Sequence, residues 1–178
     1  MKKRTIAVSL LSLVLILGSC QKIKDIFTVK VDADFTVNLP VTISSSLLKS
    51  TMGTFLSTNT LDPLNDEDLA LYKDKIKGFE LTGMTGTISE LSADVTLTDA
   101  RLLVATASNS TEWNFTNLAI TNGTVVTFDN NAGQWAKIDE ILGEQKEITV
   151  TFSGNSSQTN ITFNLVVKFT TVVSAKIL

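Results

Sequence analysis

Apolar and polar residues alternate without interruption from Phe27 to Ser44. The apolar set occupies the odd positions: Phe27, Val29, Val31, Ala33, Phe35, Val37, Leu39, Val41 and Ile43. A repeat of two residues predicts a long β-strand, or two strands joined by a bend, with one face in the core and the other in water. Pro40 has no backbone N–H to donate to a neighbouring strand, so we expect this strand to lie near a sheet edge.

A second alternating segment runs from Ile161 to Ile177, again with its apolar residues chiefly at odd positions. Val166 and Val172 place apolar side chains on the otherwise polar face as well. Apolar residues on both faces are typical of a strand that is covered on both sides. We therefore expect this strand to lie in the middle of its sheet.

Shorter strands are predicted between these two segments. They cover about 79–81, 86–89, 93–97, 100–106, 113–121 and 148–152. The alternation slips by one residue between Leu97 and Leu102, which indicates a β-bulge near Asp99. The pair Asn122-Gly123 stands between two β-prone stretches and predicts a two-residue type I′ hairpin. The Ser- and Thr-rich stretch 44–60 is only weakly periodic, and we expect a loop there.

Two segments favour helices. From about Asn65 to Lys77, acidic residues occupy the first turn and lysines the last, which suits the helix dipole at both ends. Leu69, Tyr72 and Ile76 form its apolar stripe. The stretch from Trp135 to Gly143 predicts a second short helix. Together the elements predict a mainly β fold, a two-sheet antiparallel β-sandwich with two short helices packed at its ends.

Composition narrows the possible chemistry. The chain has 178 residues, enough for one domain with a proper core, and its 15 basic and 18 acidic residues give a net charge of −3. A mildly acidic domain does not suit nucleic-acid binding. Without histidine, and with a single cysteine, the usual zinc, copper and haem sites and Ser-His-Asp or Cys-His catalysis are excluded. We expect no metal, no cofactor and no nucleic-acid partner.

The first twenty residues combine positive charge with a short apolar run. Lys2, Lys3 and Arg4 precede the apolar stretch 6–17, whose length of about a dozen residues is too short to cross a hydrocarbon core of roughly 30 Å as a helix. This pattern is typical of an export signal. The run ends in Leu17-Gly18-Ser19-Cys20, and these four residues resemble the lipobox of bacterial lipoprotein precursors.

The resemblance implies cleavage between Ser19 and Cys20, a diacylglycerol thioether on Cys20, and a fatty acid such as palmitate on the new amino terminus. Two or more acyl chains hold a protein stably on a membrane. The chain would then divide into a signal peptide (1–19), a lipidated cysteine with a short tether (20–26) and a single β-sandwich domain (27–178). The mature chain would keep 12 basic and 18 acidic residues, a net charge of −6.

The residues around the cysteine also bear on localisation. Gln21, rather than Asp, follows Cys20, and resemblance to the usual sorting preference implies the outer membrane. The six residues 21–26 span at most about 20 Å when extended, so we expect the domain to lie close to its leaflet and to face the periplasm. Signal, lipobox and a Thr- and Asn-rich β domain together resemble cell-envelope lipoproteins of Bacteroidota. The specific part of this resemblance covers residues 1–20 and implies no site residues in the domain.

Candidate chemistry in the domain is limited to carboxylates and aromatic rings. The acidic candidates are Asp32 and Asp34, the stretch 66–68, the turn 129–133 with Asp129, and Asp139-Glu140. Their ordinary interpretations are a solvated strand face, a helix start, a turn and the wet side of a helix. Trp113, Phe115 and Trp135 are candidates for a sugar-stacking platform, although aromatic residues in strands more often pack in the core. Asn-X-Ser/Thr sequons begin, among other places, at Asn109, Asn114 and Asn122, and we expect none of these to be glycosylated in a bacterial lipoprotein.

Three classes of function remain open. We favour a membrane-anchored, non-enzymatic binding or structural module whose partner is an envelope protein or a glycan, with no catalytic residues. A carrier of a lipid or other hydrophobic ligand would need a continuous internal cavity. A carboxylate-dependent carbohydrate-active enzyme would need two carboxyl groups facing each other across a cleft at roughly 5–10 Å.

Overall fold

The computed structural model describes residues 28–45 and 52–177. Eight β-strands form most of this part of the chain: β1 (Thr28–Ser45), β2 (Gly53–Leu61), β3 (Ile76–Ser89), β4 (Val95–Ala105), β5 (Ser110–Ile120), β6 (Val125–Thr127), β7 (Ile148–Ser156) and β8 (Ile161–Lys176). One α-helix, α1 (Gln134–Gly143), and two 3-10 turns, Pro63–Asn65 and Lys73–Lys75, complete the described elements. The fold is mainly β, as predicted.

The eight strands are hydrogen-bonded in the order β5-β4-β7-β2-β1-β8-β3-β6, and every neighbouring pair is antiparallel. The predicted antiparallel β architecture is thus confirmed. The prediction of two separate sheets needs correction, because one hydrogen-bonded order connects all the strands. The connection in the middle is narrow, since β1 and β2 pair only through Ser44 with Thr54 and Ser45 with Gly53.

The sheet curls so strongly that its inner face surrounds one core. Phe152 on β7 and Phe163 on β8 have ring centroids 6.5 Å apart, although β2 and β1 lie between these strands in the sheet order. Buried apolar side chains from all eight strands, together with Leu69, Phe128 and one face of α1, belong to this single cluster. The curl follows from burial, because a sheet with one apolar face must cover that face.

Strand β1 confirms the predicted alternation. From Ala33 to Ile43 every odd residue is buried and every even residue is exposed. Along this length β1 pairs with β8, whereas its opposite side meets side chains of β2. The Ser57 hydroxyl donates to the Pro40 carbonyl at 2.7 Å, so the backbone polar groups of Pro40 face away from β8. The proline therefore removes no ladder bond, and β1 behaves as an edge strand here although it is central in the sheet order.

Strand β8 lies inside the sheet, between β1 and β3, as the apolar residues on both of its faces predict. It pairs with β1 on one side and β3 on the other over most of its length. Val166 and Val172 are half-buried on the face opposite the core. The prediction of a central strand is confirmed.

The helix predicted from Asn65 to Lys77 does not form. The segment consists of turns, and Ile76 already begins β3. The Asp68 N–H bonds to the Asp66 carboxylate at 2.9 Å, and such local bonds compete with helical pairing. Leu69 is the only member of the expected stripe that is fully buried. One buried side chain does not offset the cost of nucleating a helix, so the second predicted helix is the only α-helix in the described chain.

The stretch 44–60, predicted as a loop, contains all but the last residue of strand β2. Its inward positions include Gly53 and Ser57 as well as Phe55, while the outward Leu56 is 72% exposed. The apolar alternation that marks a strand is therefore missing from the sequence. Ser57 occupies a buried position because its hydroxyl has an acceptor in Pro40.

The pair Asn122-Gly123 does not close a hairpin. The turn is closed by the Thr124 N–H on the Thr121 carbonyl at 3.1 Å, but only Gly123 of its two central residues has a positive φ, 88°. A type I′ turn needs positive φ at both. The Gly123 N–H then donates to the Ile88 carbonyl at 2.8 Å, so the chain leaves β5 and joins β3. The consecutive strands β5 and β6 consequently lie at opposite edges of the sheet order.

Two local predictions are confirmed. The register between β4 and β7 shifts between Leu97 and Asp99, the place of the predicted bulge. Helix α1 covers the second predicted helix and buries Ile138, Ile141 and Leu142. Strand β7 continues through Gly154, where the β4 backbone passes very close. A Cβ at Gly154 would overlap the Asp99 carbonyl oxygen and lie 2.9 Å from the Ala100 Cα.

Candidate functional site

The two edges of the curled sheet approach each other at a seam. Trp113 on β5 donates its indole N–H to the Asp129 carbonyl at 2.7 Å, and its ring centroid lies 5.5 Å from that of Phe128, just beyond β6. Phe115 also contacts Phe128, at 5.9 Å with an edge-on geometry. These contacts join β5 to the chain that follows β6 without a backbone ladder between them.

Helix α1 packs beside this seam, between β3 and β5. Trp135 donates its indole N–H to the Phe128 carbonyl at 2.9 Å, and the Trp135 backbone N–H bonds to the Asn130 side chain at 2.9 Å. Gly133 precedes the helix with φ of 77°, a left-handed conformation that glycine adopts without strain. Two indole N–H groups, those of Trp113 and Trp135, therefore bind carbonyls at the start of the segment between β6 and α1.

An open groove of ≈ 340 Å³ runs along the seam, and we call it the seam groove. Its lining residues come from β5, the end of β6, the turn and the start of α1: Glu112, Trp113, Asn114, Phe115, Thr127, Asp129, Asn131 and Gln134. Trp113 is only 6% exposed, so the groove floor belongs to the core. Phe115 is half-buried and supplies the apolar part of the wall.

Several polar groups of the seam groove have no partner among the described residues. The Asp129 carboxylate and the Asn131 amide take part in none of the hydrogen bonds or ion pairs there. The Gln134 carbonyl oxygen accepts from the Ala132 N–H at 2.8 Å, which leaves its NH₂ group to donate elsewhere. The groove thus offers acceptors and donors beside an apolar ring.

Glu112 is the most tightly held acidic group of the groove. The Asn114 amide donates to it at 3.1 Å, and the Arg101 guanidinium binds its other oxygen. The Asn114 hydrogen bond first, and Arg101 second, hold the pKa of the Glu112 carboxyl below its ordinary value. Glu112 is therefore ionised at neutral pH and can accept hydrogen bonds, but it has no proton to donate as a general acid.

This arrangement suits the binding of hydroxyl groups. A planar amide can both donate to and accept from hydroxyl groups, and an ionised carboxylate accepts from them. An aromatic ring can pack against C–H groups. Within the described residues no cluster of three or more Asp, Glu, His or Cys side chains is placed to hold a metal ion. Of the acidic turn 129–133, Asp129 and Asn131 reach the groove.

Of the other predicted acidic positions, Asp34 and Asp66 line one open pocket of ≈ 300 Å³, which Asp62 also lines. Asp32 and Asp34 lie exposed on the outer face of β1, and Asp34 pairs with Lys168 at 2.7 Å. Asp66 ends a 3-10 turn, and the residues 67–68 lie in turns on the surface or close to it. Asp32 and Asp34 fit the interpretation of a solvated strand face, whereas the helix start expected at 66–68 does not form.

Asp139 corrects one expectation. The sequence predicts a solvent-facing side chain at this position. Asp139 is instead half-buried, and its carboxylate accepts the Leu81 N–H at 2.6 Å. That N–H lies at the β3 bulge, where the register to β8 shifts, so the carboxylate replaces a ladder partner. Burial raises the pKa of Asp139, against the lowering effect of the Leu81 bond. Glu140 is exposed and pairs with Lys137 at 2.6 Å.

The aromatic candidates divide between core and groove. Trp113 and Trp135 both donate their indole N–H groups to carbonyls of the seam. Trp113 is buried, and Trp135 is half-buried but does not line the groove. Phe115 alone lines the groove with a partly exposed ring. Of the sequon positions, Asn114 holds Glu112, Asn109 holds Glu144, and Asn122 lies exposed in its turn.

Sequence reasoning missed the polar set of the groove. Asn131, Gln134 and Thr127 stand in a turn and at the ends of short elements, and no spacing marks them as partners of β5. The crossing from β5 to the opposite sheet edge unites them, and the sequence signal at Asn122-Gly123 pointed instead to a hairpin. The proposed anchor residues Ser19 and Cys20 lie outside the described residues, and the described part has no helix that is long and apolar enough to span a membrane.

The fold and the groove define a mainly β domain with one curled antiparallel sheet and a polar surface groove at its seam. No family model and no curated protein matches the chain. Among solved structures, a decameric BFDV capsid protein is similar at a TM-score of 0.44 and 8% identity, over 84% of this chain and 99% of that chain. A protein of Desmodium yellow mottle tymovirus is similar at a TM-score of 0.28 and 10% identity, over 82% and 84%.

Proposed function

We propose that the chain is a lipid-anchored envelope lipoprotein whose domain binds a glycan in the seam groove without catalysing a reaction. The anchor is the Cys20 lipid implied by the lipobox resemblance, and the proposed location is the outer membrane with the domain facing the periplasm. The observation that carries the binding role is the set of unpartnered polar groups beside Phe115. The refined architecture we propose is a sandwich of two four-stranded halves joined through β1 and β2.

The absence of a proton donor at Glu112 supports a binding role over the carbohydrate-active enzyme. Such an enzyme needs one carboxylic acid whose pKa is raised, so that it can protonate the leaving oxygen. Glu112 has a pKa shifted the opposite way by Asn114 and Arg101. The raised pKa of Asp139 serves no groove chemistry, because its carboxylate is bonded to Leu81 and does not line the groove.

The packing of the described core supports the same role over a carrier of hydrophobic ligands. Its largest fully buried side chains include Phe169, Leu39 and Ile138, drawn from both β1 and β8 and from α1. A carrier needs these inward faces to line a continuous cavity. Here they contact one another in one cluster.

Binding in the seam groove is tested by replacing the side chains of Asn131 and Gln134. Asn131→Ala and Gln134→Ala should each weaken binding about threefold to tenfold, because each removes roughly one hydrogen bond. Binding is measured by affinity electrophoresis against soluble xylan, mannan, pectin and β-glucan. Asn122→Ala is the matched control, because Asn122 is an exposed amide in a turn beyond the far end of β5.

The outcomes separate the candidate functions. Retardation of the native protein that is lost in the two groove variants and kept in Asn122→Ala supports the proposal. Equal loss in all three variants, or no retardation with any polysaccharide, contradicts glycan binding at this groove. Release of reducing ends from a polysaccharide would establish the enzyme alternative instead.

The anchor is tested at the cysteine. Cys20→Ala should abolish labelling by radioactive palmitate and leave the protein as an uncut precursor or release it from the membrane fraction. The native protein should be labelled and should sediment with outer membranes. Absence of label from the native protein would overturn the anchor without affecting the groove.

A further inference from the structure

One end of the sheet gathers most of the positive charge in the described part of the chain. Strand β1 begins there, β3 begins there and β8 ends there, because Thr28 pairs with Lys176 and Ile76 pairs with Ala175. Five lysines stand at this end, and we call them the basic end: Lys30, Lys73, Lys75, Lys77 and Lys176. They are five of the nine basic residues in the described part of the chain.

The contacts of these lysines place them around the point where β1 starts. Lys77 donates to the Thr28 hydroxyl at 3.2 Å, and Lys75 lies 3.5 Å from the Ile177 carbonyl. All five lysines are exposed. The five lysines therefore lie at the end of the sheet where β1 begins.

Acidic residues only partly offset this charge. Glu80 pairs with Lys30 at 3.6 Å, and Asp74 stands between two of the lysines. The acidic stretch 66–68 lies earlier in the same connection, beyond the buried Leu69. Asp32 and Glu80 both lie opposite Val172. With Asp32, Asp74 and Glu80 counted, the end keeps an excess of two positive charges in a mature chain whose net charge is −6.

The same end exposes apolar side chains. Ile177 is 50% exposed directly after Lys176, and Leu71 is 84% exposed in the turn that leads to Lys75. Lysines beside exposed apolar groups are the combination that favours a lipid headgroup region, where ammonium groups meet phosphates and apolar tips enter the acyl boundary.

The sequence brings this end to the membrane. Eight residue steps separate the proposed lipid on Cys20 from Thr28, a reach of at most about 28 Å. The first residue of β1 is therefore held within that distance of the leaflet, and the basic end surrounds that residue.

We propose that the basic end docks on an anionic lipid surface and orients the domain on it. This inference rests on the proposed Cys20 anchor. The seam groove is then held away from the bilayer, because Thr127 lies opposite Thr85, nine residues along β3 from Ile76 or roughly 30 Å at strand rise. A glycan can reach the groove in that orientation while the lysines contact phosphates.

Depth measurements on the full-length lipidated protein test the orientation. The protein is reconstituted into vesicles of phosphatidylglycerol and phosphatidylethanolamine, with a nitroxide on Ile177→Cys or on Asn122→Cys. Asn122 is the control, since its turn bonds to Ile88 at the opposite end of β3. The Ile177 label should be open to membrane-dissolved oxygen and shielded from a water-soluble nickel chelate, whereas the Asn122 label should be open to nickel.

Charge variants identify the cause. Combined Lys73→Gln, Lys75→Gln and Lys77→Gln should abolish the shielding at the Ile177 label, as should vesicles of phosphatidylcholine alone or salt of 1 M, where the screening length falls to about 3 Å. The matched control combines Lys137→Gln, Lys146→Gln and Lys168→Gln, which removes equal charge elsewhere and should keep the shielding. Circular dichroism checks that both triple variants fold.

The results distinguish failure of the docking from failure of the Cys20 anchor. Nickel access at Ile177 in protein that sediments with the vesicles overturns the docking and leaves the anchor intact. Failure of the native lipidated protein to sediment with vesicles overturns the anchor, and the docking with it. Equal loss of shielding in both triple variants overturns the role of the basic end.

Discussion

At the scale of single residues, the inward face of the sheet accepts polar side chains only where a partner is present. Thr171 is buried on β8 and donates to the Ala33 carbonyl at 2.7 Å, and Ser57 donates to Pro40. No buried side-chain nitrogen or oxygen in the described part of the chain lacks a hydrogen bond. The cost of burying an unpaired polar group explains this, and it makes the alternation in β1 a direct guide to burial.

A pair of neighbouring substitutions tests that guide. Phe35 is 2% exposed, and its ring centroid lies 6.2 Å from that of Phe79, whereas Thr36 points outward. Phe35→Ala should lower the free energy of unfolding by about 3–5 kcal/mol, because it leaves a cavity in a packed core. Thr36→Ala should change it by less than about 1 kcal/mol.

Urea denaturation of the two variants provides the measurement. Similar losses at both positions would show that the register of β1 in solution differs from the one described here. The same pair at Phe163 and Asn164 gives a weaker contrast, since Asn164 is half-buried and bonds to Glu90 at 2.8 Å.

At the scale of elements, Glu144 fastens the β4–β5 connection to the end of α1. Asn109 donates to it at 2.7 Å, Thr106 at 3.0 Å and Ser108 at 3.2 Å. Lys146 lies 3.9 Å away. One carboxylate thus joins the helix to the strand pair that carries half of the seam groove. The hydrogen bond from Asn109 is the main reason that the pKa of Glu144 is lowered, despite some desolvation.

This clamp predicts a pH dependence of stability. A carboxyl whose pKa is depressed in the folded state stabilises the fold above the unfolded value, about 4.3 for glutamate, and the contribution is lost as pH falls through the folded pKa. Glu144→Gln should therefore be less stable than the native protein at neutral pH, and the difference should shrink steadily below about pH 4.3.

Thermal unfolding across that pH range measures the effect. Glu147→Gln is the matched control, because Glu147 is an exposed carboxyl three residues further on. A stability difference for Glu144→Gln that stays constant with pH would mean that its charge is not the cause.

At the scale of the whole molecule, closure of the sheet creates the site. The seam is joined by two indole hydrogen bonds and by aromatic contacts with Phe128, rather than by strand pairing. Side chains therefore line the gap between β5 and the chain after β6, and the groove lies there. A fully hydrogen-bonded seam would have left no such opening.

The sequence alone determined the long strands and their faces. In β1 and β8 every second residue is apolar over many residues, and burial of a face follows directly from that period. Helix α1 and the bulge at Asp99 could also be predicted from the sequence, because each depends on residues within a few positions of one another. The lipobox resemblance likewise depends only on residues 17–20.

Tertiary structure decided everything that depends on which distant segments meet. Leu69 alone could not support the helix expected around it, Ser57 became an inward residue because Pro40 offers it an acceptor, and Asn122-Gly123 led to the other edge of the sheet. In the last two cases a long-range contact outweighed a local preference worth about 1 kcal/mol or less, whereas around Leu69 too little burial was available to support the helix. The groove depends on the last of these contacts, because the crossing at Gly123 carries Asp129 and Asn131 to the side of Trp113.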